Sequence, residues 1–567
     1  MVLYSASCML DAIRMMGNKL RSNAIPVMLI AALALCVVLP FLKLGIPSGH
    51  DFEFHMNSWL EVVDHWKQGT VYPHWAAMAH YGYGEARFIF YPPLSWTLGG
   101  LLGLVLPWKL VPSAYTWIVL TAAGCSMFAL ARKWLSRRDA IFSAGLYAAN
   151  PYNLVIVYWR SADAELMAAI YLPLLLLLIL RMNEDEGGRR AVVPLSLLMA
   201  AGWLTNLPSG VMMNYSLGVM AVMMALRRRS FMVIAYAGLA AILGAMLAGF
   251  YLLPAYHQQS WVNIGEVLTP GVRPVDNFLF TKTADPDHNR FNLLVSIVVV
   301  SQLAVLAGAF LLSRSFRRHR LWPILLAWSA VCVVLMLSPT RPLWNHLPEL
   351  RYVQLPWRWL LCLNVPFAIV IALSVRRWWW RGAICAAALG VLLTVWHRVQ
   401  SPWWDTAGDI QEMLDNEQDG TGNEGTDEYV PAGVDPYDID QKAPLVGFEG
   451  KGPVQISIQE WHAEERIFAA KASSPGKLAL RLFNYPSWRA EVNGRAVQTD
   501  TTPHIGQMIV PITSGENRVQ IIFVEGWDRK IGLLCSMLGL ILIVVWFSPS
   551  GRSHDHLSRR PRTDTSQ

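Results

Sequence analysis

Charge is scarce in this chain. Only 15% of its 567 residues are Asp, Glu, Lys or Arg, whereas 54% are hydrophobic and 25 are tryptophan. A soluble protein of this length has too little interior to hide so much apolar surface, so the composition excludes an ordinary soluble domain and favours a multi-spanning membrane protein. Cysteine is scarce too. Of seven, six (Cys36, Cys125, Cys332, Cys362, Cys385 and Cys535) fall inside apolar runs. None lies in the long segment 398–528, so no disulfide framework supports it, and no CxxC occurs, which removes a zinc ribbon and a redox motif. No internal repeat is evident. The formal charge of +7 does not point to nucleic acid, because the basic residues form short clusters between apolar runs, as orientation signals do.

Those clusters thread the chain through a bilayer. Arg14, Lys19 and Arg21 precede the run 24–44, which puts the N-terminus in the cytoplasm and the loop after it outside. The clusters Arg132/Lys133/Arg137/Arg138, Arg189/Arg190, Arg227/Arg228/Arg229, Arg314/Arg317/Arg318/Arg320, Arg376/Arg377/Arg381 and Arg559/Arg560/Arg562 all lie inside under one condition. The runs near 113–131, 139–157, 164–182, 190–207, 210–226, 231–254, 292–313, 321–338, 357–375, 381–397 and 529–547 must each cross once. With the first run this gives roughly twelve spans. The apolar stretch 92–108 breaks the parity and is expected to be interfacial or re-entrant, opened by Pro92-Pro93 and closed by Pro107-Trp108; the alternative is a true span with a different total. The first run is long and no small-x-small site follows it, so a cleaved signal is not expected.

The organisation expected is a polytopic α-helical module (1–397) with an external first loop 45–112. A β-rich extracytoplasmic domain (398–528), a last span (529–547) and a cytoplasmic tail (548–567) follow. Within the external domain, alternation at Val454-Gln455-Ile456-Ser457-Ile458, at 477–483 and at 519–524 predicts strands, and Asn493-Gly494 predicts a type I′ hairpin. Together these make a small antiparallel β-sandwich. Tyr485 and Trp488 there are candidates for stacking on a carbohydrate, or belong to the core of a structural lid.

The external segments hold the chemistry. Gly49-His50-Asp51-Phe52-Glu53-Phe54-His55 sets acids and histidines at the outer mouth of the first span. Asp51 and His55 are four apart, as are Glu61 and His65, so on a helix each pair shares a face. A carboxylate beside imidazole suits a general base or a divalent cation, Mg2+ or Mn2+, held by Asp51. The same spacing also suits an amphipathic interfacial helix. The histidines of this loop show no HxH or HExxH spacing, which argues against zinc. His74-Trp75 and the glycine-loosened Tyr81-Gly82-Tyr83-Gly84-Glu85-Ala86-Arg87 offer His74, Glu85 and Arg87 as sugar or phosphate contacts, or form a simple loop. The turn Tyr158-Trp159-Arg160-Ser161-Ala162-Asp163-Ala164-Glu165 lies at the depth of Asp51. One acid from each turn with an arginine for phosphate makes a transferase site; snorkelling anchors are the plainer alternative. Arg351 and Arg358 flank an external helix start that suits an anionic headgroup or an aromatic–arginine belt.

The first span with Asp51 behind it, then Tyr81-Gly82-Tyr83-Gly84 and Phe90-Tyr91-Pro92-Pro93-Leu94, resembles the GT-C superfamily of membrane glycosyltransferases. More narrowly the chain resembles bacterial membrane proteins grouped as 6-pyruvoyl-tetrahydropterin synthase-related. Leu355-Pro356-Trp357-Arg358-Trp359-Leu360 and Tyr485-Pro486-Ser487-Trp488-Arg489 with Asn493-Gly494 match that pattern, so the likeness runs from about residue 20 to about 530. The three-His zinc site of the soluble synthase is not recognisable.

The likeness implies a GT-C-like fold and an inverting transfer from a polyprenyl-phosphate-linked sugar to an envelope glycan, lipid or protein acceptor. The setting implied is the outer face of a bacterial plasma membrane. Asp51 would be the base or metal-binding acid, Asp163 or Glu165 the second acid, and Arg160 and Arg358 the phosphate holders. Trp403-Trp404-Asp405 has the letters of a GT-C acceptor motif in a different context. Two other readings fit the same belts of arginine and aromatics. One is a transporter or flippase of lipid-linked sugars, for which broken mid-membrane helices and repeats would be the signature. The other is a non-enzymatic glycan-binding assembly protein.

Overall fold

Apolar runs of about twenty residues become helices because only a helix satisfies its own backbone in lipid. The computed structural model of the protein describes residues 24–182, 187–313, 317, 319, 321–398 and 404–547. Arg14, Lys19, Arg21, Arg314, Arg318, Arg320, Trp403 and the tail 548–567 lie outside these. Eight helices are long and apolar enough to cross a membrane: Ala24–Leu44, Trp108–Ala131, Arg137–Arg160, Asp163–Met182, Leu207–Arg228, Pro286–Leu312, Pro356–Ser374 and Trp527–Trp546. Two more runs are bent pairs, Met232–Leu247 with Gly249–Trp261 at 73° and Trp322–Leu335 with Ser338–His346 at 87°. The described residues therefore carry eight candidate spans, or ten if each bent pair is one. The runs expected at 190–207 and 381–397 are helical, as Gly187–Thr205 and Trp378–Arg398. They fall short of a full apolar span, the former because Gly187, Gly188, Arg189 and Arg190 fill its first turn.

Contacts between helices sort by end. At one end Arg381 pairs with Asp139, Arg189 lies 5.0 Å over the Trp546 ring and Trp134 meets His319. At the other, the loops expected outside meet one another: Gln354 donates to the Val267 carbonyl at 2.7 Å and Gln258 to Asp528 at 2.6 Å. Basic clusters and chemistry-bearing loops thus occupy opposite ends of one helical bundle.

The first loop is built from two short helices. Phe52–Lys67 has 16 residues and buries Phe52, His55, Met56, Trp59, Val62 and Val63 on the bundle. Pro93–Val105 packs beside it; its 13 residues span about 20 Å, short of the roughly 30 Å hydrocarbon core.

The C-terminal domain is a nine-stranded antiparallel sandwich. One sheet has the order β3 (Val446–Gly450), β6 (Gly476–Phe483), β10 (Gln507–Ile512), β9 (Asp500–Thr501). The other runs β4 (Val454–Trp461), β5 (Glu465–Ala472), β11 (Gly515–Phe523), β7 (Trp488–Val492), β8 (Arg495–Val497). The β7–β8 hairpin turns on Asn493 at φ 52° and Gly494 at φ 73°, the paired positive values that a type I′ turn needs. A further short pair, β1 (Ile46–Pro47) with β2 (Trp404–Asp405), ties the turn after the first span to the start of this domain.

The sandwich does not close its core alone. Trp75, Tyr83, Ile89 and Phe90 of the first loop share one buried cluster with Phe468, Leu480, Phe483, Tyr485 and Trp488. Gly84, at φ 77°, lies where a Cβ would come within 2.0 Å of the Trp75 indole nitrogen, so glycine is required there.

Candidate active site

Two turns at one end of the bundle are stitched together to form the site. The Asp51 amide donates to the Arg160 carbonyl at 3.0 Å, and the Gly49 amide to Ser161 Oγ at 3.2 Å. Ser161 Oγ in turn donates to the Pro47 carbonyl at 2.7 Å. Ser161 adopts φ 50°, and the residues before it, Ile156–Arg160, form a π-helical turn that swings the Arg160 side chain into the seam. Gly49 is tightly boxed: a Cβ there would sit 2.5 Å from the Arg160 carbonyl carbon.

This seam brings Asp51 to Arg160, with Nη2 and Oδ2 3.8 Å apart. Asp51 is the N-cap of Phe52–Lys67, yet its side chain makes no capping bond and remains 39% exposed. Its carboxylate is the accessible acid of the cleft. Arg160 is buried, lies 5.2 Å over the Trp357 ring and donates to Glu165. Arg358 donates through Nε to the same Glu165 oxygen at 2.9 Å and through Nη1 to the Val353 carbonyl and Gln354 Oε1, both at 2.8 Å. The other Glu165 oxygen accepts from Tyr152 at 2.5 Å. One buried carboxylate thus receives three donors and holds two guanidinium groups, which fixes both in place.

Asp163 differs from Glu165 although they share the first turn of one helix. Its carboxylate is buried and accepts no hydrogen bond or ion pair among the described residues. Tyr91 lies close enough to Asp51 and Asp163 to feel both charges, and burial first, then those two acids, push its phenol well above the ordinary range. It stays protonated as a potential donor. His55, buried between Trp59 and Tyr91, is pulled down to about 4 by burial and is a neutral imidazole at the cleft wall. Tyr152 and Gln354 are unmarked in the sequence until the tertiary fold brings them to Glu165 and Arg358; Tyr91 is legible only as part of the Phe90–Leu94 motif, with no role attached.

Beside the seam, β2 brings Trp404 and Asp405 against Ile46 and Pro47. Asp405 is pushed up to about 6 by burial, with Glu53 and Asp409 adding to the effect and a Ser48 hydrogen bond opposing it. Its Oδ2 is buried without a partner. Trp404 and Asp405 therefore pair with the strand that leads into the Asp51 turn.

The other sequence candidates go elsewhere. Glu85 and Arg87, expected as sugar or phosphate contacts, are fully buried and bonded to each other at 2.6 Å. Glu85 also takes His80 at 2.9 Å and the Thr426 amide at 2.7 Å. Burial alone would raise its pKa, but Arg87, His80 and Thr426 outweigh it and hold the carboxyl down at about 2. The pair fastens the first loop to the acidic excursion before the sandwich. His74 is buried, bonded to Glu464 at 2.9 Å and stacked on Phe523. Tyr485 and Trp488, expected as stacking platforms, lie 1% and 7% exposed around Trp75 and offer no free face to a sugar. Arg351 is exposed and folds over its neighbour Tyr352 instead of the cleft. For the cation expected at Asp51, no set of three or more His, Cys, Asp or Glu side chains gathers among the described residues.

Comparison with known proteins follows from this geometry. The sequence model of the 6-pyruvoyl-tetrahydropterin synthase related domain, a membrane protein family, matches residues 88–401, more than half of the chain. No curated protein matches the sequence. Among solved structures, the arabinofuranosyltransferase AftD from mycobacteria is similar at 16% identity and a TM-score of 0.40, over 68% of this chain and 27% of its own. ArnT from Cupriavidus metallidurans, bound to undecaprenyl phosphate, is similar at 16% identity and a TM-score of 0.40, over 64% of each chain. The chain thus spans about a quarter of the first and less than two thirds of the second.

Proposed function

The chain belongs to this family of membrane proteins, and we propose that it is a glycosyltransferase. It moves a sugar from a polyprenyl-phosphate-linked donor to an envelope glycan, lipid or protein acceptor on the extracytoplasmic face of a bacterial plasma membrane. One observation carries the reading: the accessible carboxylate of Asp51 stands 3.8 Å from Arg160, which shares the buried Glu165 with Arg358. Two guanidinium groups share the buried Glu165, and the accessible Asp51 lies beside Arg160, where a donor phosphate can take over part of the guanidinium contacts.

The step is a single displacement. The acceptor hydroxyl oxygen attacks the anomeric carbon while the bond to the phosphate oxygen breaks, so the configuration inverts. The hydroxyl proton goes to Asp51, and the polyprenyl phosphate leaves with the bonding pair. A phosphate leaves already ionised and needs charge stabilisation more than a proton, which is the task of Arg160 and Arg358. Glu165 is their positioning residue. Asp163, buried and without a hydrogen-bond partner among the described residues, is the second acid and meets an acceptor hydroxyl. A divalent cation, Mg2+ or Mn2+, would be held by Asp51 with oxygens of the donor phosphate and would supply further charge stabilisation there.

The transporter reading draws on the two bent helix pairs, which are breaks of the kind such proteins use. The test is transfer of radiolabelled sugar from a panel of polyprenyl-phosphate donors by protein in nanodiscs, with an extract of a deletion strain as acceptor. Wild-type transfer that falls about 10²- to 10⁴-fold in a folded Asp51→Asn protein supports the assignment. Transfer that survives the substitution moves the base to Asp163. Donor translocation in vesicles without any transfer supports the transporter instead.

A further inference from the structure

The helix Phe52–Lys67 carries Asp51 at one end and a second polar cavity at the other. This cavity, of about 240 Å³, opens between the first loop, the helix Ala407–Gln418 and the sandwich. Its lining has two opposed chemistries. Glu61, Asp64, Glu417 and Asp419 supply carboxyl groups, Arg466 and Arg481 supply guanidinium groups, and Trp461 adds an indole.

Several of these groups are buried with nothing to bond. Glu61, His65 and Arg466 are 2%, 1% and 1% exposed, and Glu61 Oε1, His65 Nδ1, Arg466 Nε and Arg481 Nε have no hydrogen-bond partner among the described residues, His65 Nδ1 lying 4.0 Å from Glu464. His65 spends its other nitrogen on the Trp75 carbonyl at 2.9 Å, and Glu61 its other oxygen on the Met78 amide at 3.2 Å. Arg466 donates to the Ala463 carbonyl at 2.6 Å and stacks 4.7 Å over Trp488, but pairs with no carboxylate among the described residues. Burial pushes Glu61 up to about 7 and pulls Arg466 down to about 9, as expected of charges lacking compensation. Native proteins rarely leave such a set bare.

The ligand follows from what both walls accept. A simple anion meets four carboxyl side chains, and a simple cation meets two guanidinium groups. No metal set of three ligands is present among the described residues. A neutral polyol satisfies both walls, since each hydroxyl donates to a carboxylate while accepting from a guanidinium, and a ring face suits the indole. The cavity has room for roughly eight waters at about 30 Å³ each, the space of one sugar ring with its hydroxyls. We propose that this cavity is a saccharide-binding site, separate from the Asp51 cleft, that takes one neutral sugar unit between Glu61 and Arg466. At 1.5 Å per helical residue, Glu61 lies about 15 Å along the helix from Asp51. If the glycosyltransferase reading holds, the bound unit belongs to an acceptor glycan; the binding itself does not depend on that reading.

Saturation-transfer NMR and calorimetry on the full chain in nanodiscs test the site directly. The probes are D-glucose, D-galactose, D-mannose and their di- and trisaccharides, with inorganic phosphate as the anionic control. Wild type is expected to bind at least one neutral saccharide. Ala77→Leu, which fills the cavity, and Arg481→Met, at its half-buried side, are each expected to weaken that binding about tenfold, or by about 1.4 kcal/mol. Asp51→Asn is expected to leave it unchanged. Where melting curves show that Ala77→Leu does not fold, Arg481→Met decides. The proposal is overturned if wild type binds no saccharide of the panel, so that the cavity holds water only. It is equally overturned if binding is the same in the folded variants, or if phosphate displaces every saccharide. Transfer activity without saccharide binding here would sink this site and leave the transferase; binding without transfer would do the reverse.

Discussion

Glu165 and Asp163 sit two residues apart on the same helical turn and have opposite circumstances. Glu165 receives Tyr152, Arg160 and Arg358, so its oxygens are occupied and its charge serves to hold two cations in a buried place. Removing that charge leaves both guanidinium groups undercompensated. Breaking a buried pair in this way costs about 3–5 kcal/mol. Glu165→Gln is therefore expected to lower the thermal midpoint sharply as well as to abolish transfer, read by tryptophan fluorescence and by the sugar-transfer assay. Asp163 has no such bonds to lose. Asp163→Asn is expected to leave the melting temperature close to wild type while lowering transfer by about 10²-fold. Equal melting losses in the two variants would refute the division of labour. Sequence alone leaves these acids equivalent, because adjacent letters at one helix start differ only in which face they present. The neighbours that decide, Tyr152 and Arg358, lie on other elements.

At the level of elements, the site depends on how closely two turns approach. A Cβ on Gly49 would meet the Arg160 carbonyl carbon at 2.5 Å and the Ser161 amide at 2.6 Å, both backbone atoms that cannot step aside. Gly49→Ala is expected to part the seam, costing about 1–3 kcal/mol as overpacking does, and to reduce transfer by loosening the Asp51–Arg160 approach. Gly265→Ala, in a loop expected on the same face with open space around it, is the control and should change neither melting nor transfer. A Gly49→Ala protein with wild-type activity would mean the seam is not part of the site. The turns were legible in sequence because spans of known length and basic clusters fix which loops share a side, and an Asn-Gly pair fixed the β7–β8 hairpin. What the sequence hid was long-range packing. Glu85 and Arg87 read as surface letters but form a buried clasp with His80 and Thr426. Tyr485 and Trp488 read as a platform but enclose Trp75. Polar and aromatic residues in a loop carry no periodicity that tells a solvated face from a buried one, and the two bent spans likewise leave no mark in hydropathy.

Across the whole molecule, the first loop is the part that belongs to both halves. Its helix packs on the bundle, its segment 75–90 completes the sandwich core, and its far end walls the second cavity. That shared position has a pH signature. Glu61 is pushed up from its ordinary 4.5 to about 7, first by burial and then by Glu85, against the pull of Arg87 and two backbone amides. A carboxyl whose folded pKa exceeds its unfolded one binds more protons when folded. Its contribution to stability is therefore present at low pH and is lost as pH rises from about 4.5 through about 7. Moving from about pH 7.5 to about pH 5.5 should thus restore about 2 kcal/mol through Glu61. His55 works in the opposite sense. Burial lowers it to about 4, so the folded state loses stability as pH falls below its ordinary 6.5. The bare midpoint of the wild type mixes the two. The informative quantity is the difference between wild type and Glu61→Gln, in which the His55 contribution cancels. Glu61→Gln, neutral at every pH, is expected to be the more stable protein near pH 7.5, and this advantage should shrink toward pH 5.5. A gap between the two melting temperatures that stays constant over that range would show that Glu61 is ionised in the folded protein throughout, and that the cavity is wetter and more open than its walls imply.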